Sequence, residues 1–195
     1  IGVPLLLSGK PQLPKGVFAN GLLYFACIGT GFMMVQIPLI QRFSVYLGHP
    51  VYAVSVLLFS MFIAAGLGSS LSDRISVERY KRWTLALPLT IVVLISAIYL
   101  LSGPIIQATI DQGLVIRCLI VILLVATAAI PMGMCFPLGL RLFRQYSDDC
   151  LPWMWGVNGA TGVLASVLAV AISMWSGINT SLLVAVACYA LLIVP

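Results

Sequence analysis

Residues Ile116–Leu140 read IRCLIVILLVATAAIPMGMCFPLGL and carry one charged side chain, Arg117, near the start. About 20 consecutive apolar residues are enough for a helix to cross the hydrocarbon layer of a membrane. The strands of a membrane barrel alternate in polarity and need only about ten residues, so a continuous apolar run of this length excludes them. The stretch therefore predicts a transmembrane helix.

Five further apolar runs are present in the chain. The residues before the first of them, 1–16, are interpreted as the tail of a preceding apolar segment, Ile1–Leu7, followed by a cytoplasmic linker. Because the chain starts without Met and stops within an apolar run, we expect it to be a segment of a longer protein. The six runs together predict an all-helical, polytopic transmembrane bundle with a kinked fourth helix and spans near 17–41, 50–72, 84–103, 116–140, 153–175 and 180–194.

The composition excludes several classes of protein. Of the 195 residues, 62% are hydrophobic and 8% are charged, whereas soluble domains have about 45–50% apolar and about 25% charged residues. So few charges cannot cover the surface of a water-soluble globule. A soluble domain, a disordered chain and a nucleic-acid-binding protein are therefore excluded.

The basic residues predict the orientation. Eight of the ten Lys and Arg residues fall on one side of the predicted spans, and only Arg42 and Arg117 fall on the other. Since segments rich in Lys and Arg stay in the cytoplasm, the first span enters from the cytoplasm. We expect Arg42 to extend towards the outer headgroups. The predicted location is the inner membrane of a bacterium, with the lipid bilayer as the main partner.

Four residues within the spans are candidates for a substrate path. Gln36 is an intramembrane amide, which is costly unless paired, so we expect its partner on a neighbouring helix. Pro131 and Pro137 remove backbone donors and distort the fourth span. Such distortion marks binding sites in some transporters and is a plain structural kink in other proteins. Asn158 lies near the start of the fifth span, where bridging between helices is the favoured role.

Small residues on the fifth span predict a helix-packing surface. Gly162 and Ser166 are four positions apart, as are Ala165 and Ala169. Small residues at this spacing let two helices approach closely. The alternative is a surface that lines a substrate path.

The sequence shows no arrangement of residues that is typical of an enzyme active site. All five carboxylates lie in loops or at span ends, and the five cysteines show no Cys-x-x-Cys spacing. The lone histidine, His49, has no Cys, Asp or Glu nearby in sequence, so a turn is its expected place. We therefore assign no catalytic residue, no metal ligand and no cofactor to this segment.

Several motifs resemble one membrane family. Between Leu22 and Ser173 they occur in the order YFACIGTGFMMVQIPLIQR (24–42), LGHPVYA (47–53), GLGS (66–69), PMGMCFPLGLR (131–141) and PWMWGVNGA (152–160). This series resembles the membrane region of bacterial spermidine-synthase-like proteins. The resemblance implies a linked, soluble Rossmann-like domain similar to aminopropyltransferases, which would bind decarboxylated S-adenosylmethionine and a polyamine. The glycine-rich loop and acidic residues of that domain have no counterpart here.

The loop after the second span indicates another class. Residues 68–74, GSSLSDR, are similar to the signature loop of major-facilitator transporters, although the gap from Gly68 to Asp73 is one residue longer and the second glycine is missing. In such transporters an Asp and an Arg latch helix ends through charge and dipole. Asp73 and Arg74 are therefore candidates for a cytoplasmic latch, and a solvated loop is the favoured alternative.

Three functional hypotheses follow. The leading one is a membrane-embedded domain of a spermidine-synthase-like protein that anchors or serves a soluble transferase domain. The second is half of a major-facilitator-like transporter for a small organic solute such as a cation. The third is a non-catalytic structural subunit that packs against membrane partner subunits in a larger complex.

Overall fold

A computed structural model describes residues 15–75 and 80–193. Within these ranges the chain is all-helical and contains no strand, which confirms the predicted fold class. One 3₁₀ turn, Asp148–Cys150, precedes the fifth helix. The helices are α1 (Lys15–Tyr46), α2 (Pro50–Ser72), α3 (Tyr80–Thr109), α4 (Leu114–Arg144), α5 (Leu151–Ser176) and α6 (Ile178–Leu191).

The helices have the lengths of a membrane bundle. Five of those described are long and apolar enough to cross a membrane, and α6 is shorter, with 14 residues. Helices α1, α3 and α4 extend beyond the apolar runs that predicted them, because helical hydrogen bonding continues past the hydrocarbon layer that hydropathy detects. The predicted tail Ile1–Leu7 and the last predicted span residue, Val194, lie outside the described residues.

Helices that follow one another in sequence run in opposite directions. Helices α1, α3 and α5 begin at the end of the bundle where α2, α4 and α6 finish, and we call this the basic end. Two of the three turns at the opposite end use glycine with positive φ, at Gly48 (+81°) and Gly177 (+88°), because such dihedrals are unfavourable for residues with a Cβ. His49 follows the first of these and caps α2, its Nδ1 accepting a hydrogen bond from the Val51 amide at 3.2 Å.

Helix α4 continues through Pro131 and Pro137 without a break. Interior prolines are tolerated in membrane helices where neighbouring groups satisfy the freed backbone atoms. A side chain from another helix reaches this segment, because the Tyr24 hydroxyl donates to the Cys135 carbonyl oxygen at 3.0 Å. The two prolines therefore lie within a continuous helix that α1 contacts directly.

Helices α2 and α4 cross with their backbones in contact. A methyl group on Gly68 would overlap the carbonyl oxygen of Ile130, and one on Gly133 would overlap that of Ala65. Small residues permit this approach, and dispersion between the closely packed backbones is the main attraction available in lipid. Large hydrophobic side chains such as Phe59 face outwards, where lipid tails would surround them.

Candidate functional site

A cavity of about 720 Å³ lies at the basic end of the bundle. It is bounded by the first turns of α1 and α3 and by the last turns of α4 and α6. Most of its surface is apolar. Its lining residues are Val17, Asn20, Leu23, Tyr24, Thr84, Leu85, Leu142, Phe143, Tyr146, Leu191 and Leu192.

Tyr24 is fixed by contacts on two sides. Its hydroxyl donates to the Cys135 carbonyl oxygen, and its ring packs edge-on against Phe25, with centroids 5.4 Å apart. Gly139 makes room for this ring, because a methyl group there would overlap the ring edge of Tyr24. The tyrosine thus forms a rigid wall of the cavity, and its hydroxyl is already engaged.

The structure does not bring the four predicted substrate-path residues into this cavity. Gln36, Asn158, Pro131 and Pro137 are all missing from its lining. The side chain of Gln36 is 4% exposed, and its Oε1 accepts no hydrogen bond from the described residues. The expectation of a partner on a neighbouring helix is therefore wrong for this atom among the described residues.

Asn158 bridges two helices, as the sequence favours. Its Nδ2 donates to the Phe25 carbonyl oxygen at 3.1 Å. The close approach of α1 and α5 at this point depends on Gly29, since a methyl group there would overlap the Asn158 carbonyl oxygen. A methyl group on Gly162 would come no closer than 3.7 Å to the Gly29 carbonyl oxygen, which is an ordinary contact.

The predicted small-residue surface of α5 is used within the chain. Gly162, Ala165 and Ala169 are buried, whereas Ser166 is half-buried and bonds to its own helix through the Val163 carbonyl oxygen. Helix α6 also contacts this surface, because Ser181 donates to the Ala169 carbonyl oxygen at 3.2 Å. Most of the surface is thus covered by helices of the same chain.

Two arginines join helices at the end opposite the cavity. Arg42 hydrogen-bonds to the fully buried Ser102 of α3 and to Asn179 of α6. Its reach towards the outer headgroups stays a prediction. Arg117 donates to the Tyr46 carbonyl oxygen at 2.7 Å and lies over the ring of that tyrosine. A charged side chain that is hydrogen-bonded within the bundle costs less free energy than one that is buried without a partner.

A third arginine joins two helix ends at the basic end. Arg141 of α4 forms an ion pair with Asp73 and donates to the Ser72 carbonyl oxygen, at 3.0 Å, where α2 finishes. Of the two candidates for a cytoplasmic latch, Asp73 pairs with Arg141, while Arg74 is exposed. A cation at the carboxyl end of a helix also interacts favourably with its dipole.

Sequence reasoning missed the residues that complete these contacts, namely Ser102, Asn179 and Arg141, and it missed the cavity. An arginine near the end of an apolar span is a usable signal, because such a charge requires acceptors. The identity of the acceptors depends on which helices are neighbours, which no local pattern contains.

The fold and this site define a multi-pass helical membrane protein with a closely packed interior and a cavity at its basic end. Compared with known proteins, the chain matches no protein-family model, no curated protein and no solved structure.

Proposed function

We propose that the chain is the membrane domain of a spermidine-synthase-like protein, which anchors or serves a soluble transferase domain at the basic end. The observation that carries the proposal is the place of the motif residues in the fold. Gly29, Gly68, Gly133 and Asn158 belong to the motifs that carry the family resemblance, and all four lie where helices touch. The motifs shared with that family thus include residues at which the helices of this chain pack together.

The geometry favours an anchor with a fixed shape. Backbone contacts hold α2 against α4 and α1 against α5, and arginine contacts join helix ends at both sides of the bundle. A scaffold of this kind holds an attached domain at a defined distance from the bilayer. The cavity, close to where most of the basic residues lie, is the part of this scaffold nearest to such a domain.

The proposed orientation places the basic end in the cytoplasm of a bacterium, as the distribution of Lys and Arg favours. A membrane-impermeant thiol reagent tests it on intact cells that carry Arg74→Cys or Gln112→Cys. Both positions are exposed and lie in turns at opposite ends of the bundle. We expect labelling of the second variant alone; labelling of the first alone would reverse the orientation.

The function is tested by the intact mass of the natural protein, together with peptide sequencing of the region before Ile1. We expect a mass well above 20.9 kDa and a glycine-rich Rossmann domain, followed by binding of decarboxylated S-adenosylmethionine to the full protein. A mass near 20.9 kDa, with no soluble transferase retained on purification, would contradict the proposal.

One observation favours the transporter hypothesis as a second candidate. The Oε1 atom of Gln36 is buried within the bundle and has no partner among the described residues, as expected of a polar group that receives a solute. On this hypothesis, Gln36→Leu abolishes uptake of an organic cation into vesicles while leaving the folded protein intact. Unchanged transport in that variant would exclude this role for Gln36.

A further inference from the structure

We propose that the cavity at the basic end binds one anionic phospholipid, with an acyl chain against its leucines and the phosphate near Arg82 and Arg144. The proposal concerns a ligand taken from the bilayer and does not depend on a linked transferase domain.

The size and lining of the cavity fit an acyl chain. Its volume of about 720 Å³ lies in the range of small-molecule sites, which are mostly apolar with a few polar groups. Leu23 and Leu85 both line it and are also 57% and 48% exposed. Because these leucines belong to helices of membrane length, the cavity opens sideways to lipid, and an acyl chain can enter without crossing water.

Two arginines that are close in sequence to lining residues favour an anionic headgroup. Arg82 precedes the lining residue Thr84 by two positions, and Arg144 lies between the lining residues Phe143 and Tyr146. Both arginines are exposed, and no lining residue carries a carboxylate. Arginine pairs with phosphate through several N–H donors, and basic pockets between transmembrane helices bind anionic headgroups.

Polar side chains lie between the apolar lining and these arginines. Asn20 is one turn inside the start of α1, and Tyr146 follows the end of α4; both line the cavity. An amide and a phenol at this depth can donate hydrogen bonds to the ester oxygens of a glycerophospholipid. A ligand with only an apolar chain would leave them unused.

Native mass spectrometry of the detergent-purified chain tests the proposal, with phosphatidylglycerol and phosphatidylethanolamine of the same acyl composition as probes. We expect one phosphatidylglycerol to be retained per chain, with at least tenfold preference over phosphatidylethanolamine. Arg82→Gln with Arg144→Gln should reduce this preference about tenfold, because charged hydrogen bonds to the phosphate are lost. Arg74→Gln, an exposed arginine at the same end, should leave it unchanged.

A second measurement separates a specific site from the general lipid surround. Leu85→Trp should fill the cavity and abolish retention, whereas Leu89→Trp, one turn further along the exposed face of α3, should not. Equal retention of both lipids, or equal effects of the two tryptophans, would overturn the proposal. If Leu85→Trp fails to fold, a photoactivatable phosphatidylglycerol on the unaltered chain must crosslink to residues 17–24, 84–85 or 142–146; crosslinks spread evenly over the outer faces would overturn it equally.

Discussion

Gly133 lies directly against the backbone of Ala65, so that a methyl group on the glycine would overlap the alanine carbonyl oxygen. This contact joins the segment between the two prolines of α4 to the middle of α2. The segment from Pro131 to Pro137 is thus a packing surface for another helix, and it does not line the cavity at the basic end.

Gly133→Ala and Gly68→Ala should each destabilise the bundle by about 1–3 kcal/mol, because backbone atoms cannot move aside as a flexible side chain can. The thermal unfolding midpoint in detergent measures the effect. Gly66→Ala is the matched control, since a methyl group there meets nothing within 4 Å. Equal unfolding midpoints for Gly66→Ala and Gly68→Ala would contradict the close backbone contact between α2 and α4.

Gly29→Ala should destabilise the α1–α5 contact more than Gly162→Ala. The added methyl group overlaps the Asn158 carbonyl oxygen in the first variant and makes an ordinary contact in the second. We expect a loss of about 1–3 kcal/mol for Gly29→Ala and little change for Gly162→Ala. A larger loss of stability for Gly162→Ala in the same unfolding assay would show that Gly162, and not Gly29, permits the close approach of the two helices.

Arg42→Leu should destabilise the end of the bundle opposite the cavity. It leaves the buried Ser102 hydroxyl and the Asn179 side chain without this partner, at a cost of about 1–3 kcal/mol. Hydrogen exchange should rise around residues 102 and 179 together, because one arginine joins both helices. Ser102→Ala, which removes one of the two contacts of Arg42, should have a smaller effect on stability. Exchange confined to α1 would show that the arginine does not couple the helices.

Arg141→Gln should destabilise the basic end more than Asp73→Asn. Asp73 is 68% exposed, and exposed ion pairs contribute only about 0–1 kcal/mol. Arg141 also donates to the Ser72 carbonyl oxygen at the end of α2. Unfolding midpoints at low and high salt separate the two contributions, since only the ion pair is screened. Equal losses in the two variants would mean that the ion pair accounts for the whole stabilising effect of Arg141.

Gln36→Leu should raise stability by about 1 kcal/mol, because a buried acceptor without a partner carries an uncompensated desolvation cost. Tyr189→Phe is a companion case, since the Tyr189 hydroxyl is also buried without a partner among the described residues. Both variants should unfold at the same or a higher temperature than the unaltered chain. A marked loss of stability in Gln36→Leu would reveal a bound water or solute at its Oε1 atom.

The helical class and the approximate places of the helices were predictable from the order of residues along the chain. Apolar runs of membrane length leave the backbone only one way to satisfy its hydrogen bonds internally, so Ile116–Leu140 predicts a helix whatever surrounds it. The role of Asn158 as a bridge was also predictable, because an intramembrane amide is costly unless it is paired. The same reasoning failed for the Oε1 atom of Gln36, which has no partner among the described residues.

Which helices touch, and which residues complete each contact, became visible only in the folded chain. Arg42 meets Ser102 and Asn179 across separations of 60 and 137 positions, and Gly29, rather than Gly162, permits the closest approach of α1 to α5. The cavity likewise needs four helix ends that lie far apart in sequence. Helix formation depends on hydrogen bonds four residues apart, whereas these features depend on the relative positions of whole helices, which local patterns do not contain.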